Sequence, residues 1–139
     1  MSKKYVLFVC WHNSGRSQLG EVYFNTHNKN DDIEARSAGT AIKWDGKINA
    51  KIVDLLDENW IDIFNQDKIY QPKKVTQEMV DWAEAVYTMW CMDGKCGFLN
   101  RKIDYDFALD DPARDDTDVE AMFEDFKKKI EPILKKFNK

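Results

Sequence analysis

A short apolar segment near the start of the chain constrains the fold more than any other part of the sequence. Residues Lys4–Cys10 read KYVLFVC, with no alternation of polar and apolar side chains after the first position. Such a run of β-forming residues predicts a strand that is covered on both faces, as in a parallel sheet. After a loop, apolar residues resume at helical spacing at Leu19, Val22 and Tyr23. The sequence therefore predicts that the fold begins with a central strand, a loop and a helix.

Strand-like and helix-like segments alternate along the rest of the chain. Further strands are predicted at Ile33–Ala38, which Gly39 closes, at Ala85–Met89 and, from a weaker pattern, at Ile103–Leu109. Helices are predicted through Asn49–Asn59, after an N-cap at Thr76, and from Thr117, which has capping-box spacing to Glu120. In a chain of only 139 residues, alternating strands and helices indicate an α/β fold. We expect a single domain over residues 1–139, a three-layer sandwich with a four-stranded parallel sheet and helices on both faces.

The charge balance restricts the kinds of partner. A net charge of -4 at pH 7, with lysines scattered among acids, argues against nucleic acid and anionic membrane as partners. The first apolar run is too short for a signal-peptide core or a membrane span, so we expect a cytoplasmic protein. We also expect a monomer. Three cysteines in a reducing compartment are more typical of catalysis, metal binding or burial than of structural disulfides.

The loop after the first strand has the composition of an anion site. Five residues separate Cys10 from Arg16, namely Trp11, His12, Asn13, Ser14 and Gly15. Their backbone N–H groups can curl around an anion beside the N-terminus of the next helix, at the carboxyl edge where sites form in parallel sheets. Arg16 adds a planar guanidinium that matches two oxyanion oxygens, and Ser17 would help to stabilise a Cys10 thiolate. From these residues alone, a buried strand cysteine beside an unrelated surface arginine remains the alternative.

The loop is part of a wider pattern of short segments. They are Val6–Ser17 (VLFVCWHNSGRS) with Gln18, Ser37–Thr40 (SAGT), Pro72–Lys74 (PKK) with Thr76–Val80 (TQEMV), Tyr87–Met89 (YTM) and Asp110–Pro112 (DDP). In this pattern the chain resembles, over nearly its whole length, the superfamily of low-molecular-weight tyrosine phosphatases and arsenate reductases. The resemblance implies their fold, with Cys10 as the nucleophile. It implies that Asn13 orders the loop and that Arg16 binds the oxyanion. It also implies that Ser17 stabilises the thiolate and that Asp111 acts as the general acid.

Two further cysteines bear on the choice between the two activities. Phosphate and arsenate are nearly identical tetrahedral anions, so the loop alone does not distinguish them. Cys91 and Cys96 follow the third predicted strand in the segment WCMDGKC, whose Thr-Met-x-Cys entry resembles the redox segment of arsenate reductases. If the third strand neighbours the first, at about 4.8 Å, Cys91 emerges beside Cys10 and a disulfide between them is within reach.

The resemblance to arsenate reductases implies a relay of three thiols. Cys10 attacks arsenic, Cys91 attacks the Cys10 sulfur as arsenite leaves, and Cys96 then takes over the disulfide with Cys91. A thioredoxin-type partner would reduce that disulfide. We therefore expect arsenate reduction, with a tyrosine phosphatase that forms a Cys10 phosphoenzyme as the alternative and a non-catalytic oxyanion-binding module as a third reading.

Several assignments have simpler interpretations. Cys91 and Cys96 are compatible with ordinary buried thiols, or with zinc ligands, although Cys-x4-Cys lacks a second ligand pair nearby. Asp111 taken alone is a turn residue before proline. Ala113 and Arg114 follow the Asp-Pro pair where tyrosine phosphatases commonly carry aromatic residues, which favours a small inorganic substrate.

The resemblance also bears on cofactors. Asn13, Glu21 and Ser37 match positions at which some arsenate reductases hold potassium. We therefore expect no tightly bound cofactor and an optional potassium ion. The expected partners are an arsenate or phosphate oxyanion and a thioredoxin-type reductant.

Overall fold

A computed structural model describes residues 4–10, 15–40, 48–62, 73–89, 103–109 and 116–138 of the chain. The strands in these ranges are β1 (Lys4–Cys10), β2 (Ile33–Gly39), β3 (Ala85–Thr88) and β4 (Tyr105–Asp106). The helices are α1 (Arg16–His27), α2 (Ala50–Glu58), α3 (Gln77–Trp82) and α4 (Val119–Phe137). No helix in this part of the chain is long and apolar enough to cross a membrane.

The four strands form one parallel sheet in the order β2-β1-β3-β4. This confirms the predicted four-stranded sheet, and it places β1 inside with β2 and β3 on either side. Residues 5–10 of β1 are all buried, which explains the unbroken apolar run of that segment. In the register, Cys10 lies opposite Gly39 of β2, and Val9 lies opposite Thr88 of β3. The carboxyl ends of the three strands therefore meet at one edge.

The two faces of the sheet bury separate cores. Val6, Phe8 and Cys10 face a large core that includes residues of α1, α2 and α4. The alternate residues of β1 face a smaller core with Val80 of α3. This alternation is the period-two pattern of a strand, and it yields the three layers predicted from the sequence. Burial in the large core, and the nearby carboxylate of Asp104, raise the pKa of Tyr87 to about 12.

Some predicted boundaries were wrong: β2 ends at Gly39 and not at Ala38, and β3 ends at Thr88 and not at Met89. Helix α4 is capped by Asp118, whose carboxylate accepts a hydrogen bond from Ala121 N at 3.1 Å, and not by a Thr117 capping box. Both residue types cap helices well, so the local sequence did not separate them. Strand β4 is far shorter than predicted, since only Tyr105 and Asp106 pair with β3, and Ala108 beyond them adopts a left-handed conformation with φ of 49°.

Candidate functional site

Cys10 ends β1 at the edge where the strands meet, and it points toward the start of α1. Its side chain is only 6% exposed, and its Sγ lies 2.8 Å from Ser17 Oγ. The backbone holds this position, because Cys10 O accepts a hydrogen bond from Thr40 N at 3.1 Å. The first turn of α1 closes with Leu19 N donating to Gly15 O at 2.9 Å. The predicted nucleophile and its hydroxyl partner are therefore adjacent.

The Ser17 hydroxyl is fully buried and lies in the first turn of α1. Either the hydroxyl or the thiol can donate in the hydrogen bond between them. When the sulfur is ionised, only the hydroxyl carries a proton, so Ser17 then donates to the thiolate. Charge-assisted hydrogen bonds of this kind are stronger than neutral ones. The contact therefore places a hydrogen-bond donor at the sulfur that is predicted to react.

Arg16, the first residue of α1, connects the site to the segment that follows β4. Its Nη1 donates to the backbone carbonyl of Leu109 at 2.9 Å, across 93 positions of sequence. Leu109 itself is fixed by its N–H, which donates to Met89 O at 2.8 Å. A guanidinium has five N–H donors in one plane, so this bond fixes the orientation of the side chain and leaves further donors for an oxyanion.

A buried ion pair lies one helical turn beyond Ser17. Glu21 is fully buried, and its Oε1 accepts a hydrogen bond from Ser37 Oγ at 2.5 Å. The ammonium of Lys73 lies 3.4 Å from the same oxygen. Glu21 and Ser37 were predicted as neighbours, whereas the role of Lys73 was missed. The sequence signal was weak, since Lys73 is one of two adjacent lysines after Pro72 and lies 52 positions from Glu21.

The end of β3 lies beside β1, the strand that ends in Cys10. Met89 N donates to Val9 O at 3.0 Å, so β3 neighbours β1 as the thiol relay required. The Thr88 hydroxyl donates to Asp106 Oδ1 at 2.9 Å, which ties β3 to β4 at this edge. The remaining predicted site residues lie outside the described residues, and they are Trp11, His12, Asn13, Ser14, Cys91, Cys96 and Asp111.

Comparison with known proteins assigns this site to a family. Residues 5–139 match the family of low molecular weight phosphotyrosine protein phosphatases. The chain belongs to this family. No curated protein sequence matches it. The low molecular weight phosphatase fold therefore accounts for the parallel sheet and for the strand, loop and helix that carry Cys10, Arg16 and Ser17.

Solved structures of this fold include both activities. A thioredoxin-dependent arsenate reductase from Corynebacterium glutamicum is 23% identical with a TM-score of 0.72, over 97% of this chain and 62% of that one. This chain thus spans less than two thirds of that reductase. A low molecular weight protein tyrosine phosphatase from Streptococcus pyogenes is 22% identical with a TM-score of 0.78, over 96% and 92% of the two chains. Vibrio vulnificus Wzb, solved with benzylphosphonate, is 21% identical with a TM-score of 0.71, over 97% and 99%. Likeness at these identities shows the fold alone.

Proposed function

We propose that the protein reduces arsenate to arsenite by a relay of three thiols, in which Cys10 is the nucleophile and Cys91 and Cys96 resolve it. The observation that carries the proposal is the pairing of β3 with β1. Because Met89 N donates to Val9 O, the chain leaves β3 beside the strand that ends in Cys10. Cys91 follows Met89 after a stretch of at most about 7 Å. A disulfide needs α-carbons within about 7 Å, so this short tether favours a Cys10–Cys91 bond.

The first step forms a bond between sulfur and arsenic. The Cys10 thiolate, stabilised by the Ser17 hydroxyl at 2.8 Å, attacks the arsenic of bound arsenate. One arsenate oxygen leaves as water, and Asp111 donates a proton to it as the general acid. The guanidinium of Arg16 and the loop amides hold the remaining oxygens.

The second step is the reduction. The Cys91 thiolate attacks the Cys10 sulfur, an S–S bond forms and the S–As bond breaks. Its electron pair stays on arsenic, which passes from As(V) to As(III) and leaves as arsenite. The Cys96 thiolate then attacks the Cys91 sulfur and releases Cys10 as a thiolate. A thioredoxin-type dithiol reduces the Cys91–Cys96 disulfide, so two electrons enter for each arsenate.

Phosphate-ester hydrolysis is the second candidate, and the family match favours it directly. The contacts of Cys10, Arg16 and Ser17 suit a phosphoryl group as well as arsenate, since the two anions share shape and charge. In this case Cys10 forms a phosphoenzyme, Asp111 protonates the leaving group, and water hydrolyses the intermediate. Cys91 and Cys96 then have no part in the chemistry.

A coupled assay separates the two functions. Arsenate-dependent oxidation of thioredoxin is measured for the wild type and for Cys10→Ser, Cys91→Ser and Cys96→Ser, beside hydrolysis of an aryl phosphate. We expect all three variants to lose multiple turnover with thioredoxin. Only Cys10→Ser should also lose aryl phosphate hydrolysis, which serves as the internal control for folding and anion binding. Multiple turnover with thioredoxin in both Cys91→Ser and Cys96→Ser would refute the relay.

A further inference from the structure

The ion pair of Glu21 and Lys73 has no role in either reaction scheme. The Glu21 side chain is fully buried, whereas that of Lys73 is 35% exposed. A buried carboxylate is costly unless a counter-charge and hydrogen bonds compensate it. Here Ser37 supplies a hydrogen bond and Lys73 supplies the charge, both to Oε1. The long lysine stem lets the ammonium reach inward while part of the side chain stays in contact with water.

This ion pair lies one helical turn from Ser17, the hydrogen-bond partner of Cys10. Glu21 follows Ser17 by one helical turn, on the same face of α1. The Lys73 segment is bound to the end of β2, because Gly39 N donates to Lys73 O at 2.8 Å and Val75 N donates to Gly39 O at 2.9 Å. Gly39 in turn lies opposite Cys10 in the sheet. The ion pair therefore ties the helix that carries Ser17 to the strand end beside the nucleophile.

The same carboxylate is where a potassium ion was expected. Glu21 and Ser37 are together as that expectation required, and Asn13 lies outside the described residues. The ammonium of Lys73, however, already lies at the carboxylate oxygen. A second cation on this oxygen would be repelled by the first at close range, in surroundings that screen charge poorly. The residues present therefore do not fit a potassium ion beside Lys73.

We propose that the Lys73 ammonium is the cation of this site, built into the chain in place of a monovalent metal ion, and that it positions α1 and its Ser17 beside Cys10. Lys73 is thus a positioning residue, because it acts on Ser17 and Cys10 through Glu21. The inference holds for either reaction at Cys10. It implies that the wild-type protein gains nothing specific from potassium, and that loss of the ammonium creates a need for it.

The test compares four proteins in potassium chloride and in choline chloride at equal ionic strength. Lys73→Met removes the charge, Lys73→Arg keeps it, and Lys74→Met makes the same charge change at the exposed neighbouring residue. The thermal unfolding midpoint is measured with kcat/KM for an aryl phosphate. We expect Lys73→Met to lower the midpoint by about 5 °C in choline chloride. In potassium chloride at least half of this loss should be restored, and the midpoint should level off as the potassium concentration rises. Its kcat/KM should follow the same potassium dependence, whereas the wild type, Lys73→Arg and Lys74→Met should show none.

Three results would overturn the proposal. One is a potassium-specific rise in the midpoint of the wild-type protein. The second is a Lys73→Met variant with the same unfolding midpoint as Lys74→Met. The third is a Lys73→Met variant whose midpoint falls by the same amount in potassium chloride and in choline chloride. If Lys73→Met does not fold, the double variant Glu21→Gln with Lys73→Met tests the proposal in its place. Removing both charges leaves no buried carboxylate that needs a counter-charge. That variant should fold and ignore potassium, and a potassium-dependent midpoint in it would equally overturn the proposal.

Discussion

The Ser17 hydroxyl is fully buried and lies 2.8 Å from the Cys10 sulfur. A hydrogen bond to a charged group contributes about 1.5–3 kcal/mol. Because this bond reaches the sulfur itself, its loss should slow reactions at Cys10 more than it reduces the stability of the fold.

For Ser17→Ala we expect alkylation of Cys10 by iodoacetamide at neutral pH to slow by about tenfold or more, with a similar loss in kcat/KM. The measurement is the second-order alkylation rate of the folded protein. Thr76→Ala is the control, since it removes a hydroxyl that caps α3 through Met79 N at 3.2 Å, away from Cys10. That variant should lose about 1 kcal/mol of stability and keep its alkylation rate. Equal alkylation rates in Ser17→Ala and the wild type would contradict this role for Ser17.

How far single residues were predictable depends on their separation in the sequence. Cys10, Arg16 and Ser17 form one local motif, so the sequence alone indicated that they act together. The Lys73 contact to Glu21 and the Arg16 contact to Leu109 join residues 52 and 93 positions apart. Such contacts depend on how the sheet orders its strands, and no local pattern encodes that order.

At the scale of elements, α1 packs closely on β1 through Gly20. A Cβ atom added at this position would lie 2.7 Å from Cδ1 and 2.8 Å from Cγ of Phe8. The Phe8 ring is fully buried among other aromatic rings, with centroids 5.5 Å from Tyr87 and 6.0 Å from Phe107, so it has little room to move. The close approach therefore fixes the depth at which α1, and with it Ser17, lies against the sheet.

Gly20→Ala should destabilise the protein by about 1–3 kcal/mol, although alanine favours helices by about 1 kcal/mol over glycine. Because the clash displaces α1 and Ser17 with it, kcat/KM for an aryl phosphate should also fall. The measurement is denaturant unfolding of Gly20→Ala, of Phe8→Leu and of the double variant, analysed as a double-mutant cycle. We expect the smaller leucine to relieve part of the clash, so that the two changes are less destabilising together than their sum. A Gly20→Ala protein more stable than the wild type would show that α1 is free to shift.

The elements themselves were largely predictable, because each carries its own pattern. The bounds of β1 were predicted to the residue, and Thr76 caps α3 as expected. Strand β4 was overestimated because its extent depends on its pairing with the four residues of β3 and on the left-handed Ala108. Neither property is visible in the apolar pattern of Ile103–Leu109.

For the whole molecule, the strand order decides which side chains share an edge. The order β2-β1-β3-β4 puts β1 between β2, whose end is hydrogen-bonded to Lys73, and β3, which precedes Cys91 in the sequence. The end of β2 is thus bound to the Lys73 segment, and β3 carries the chain toward Cys91 and Cys96, the proposed resolving cysteines. The parallel sheet itself was predictable from the alternation of elements, whereas no local pattern in the sequence indicates that β3 lies next to β1.

The most direct test of the relay is a single turnover of Cys96→Ser with one equivalent of arsenate and no reductant. Without Cys96 the reaction should stop after the second step. We predict about one arsenite per protein chain, and a Cys10–Cys91 disulfide identified by mass spectrometry of the proteolytic peptides. The Cys91→Ser variant, treated in the same way, should yield no arsenite. Intact arsenate with Cys10 and Cys91 still reduced in Cys96→Ser would contradict arsenate reduction by this relay.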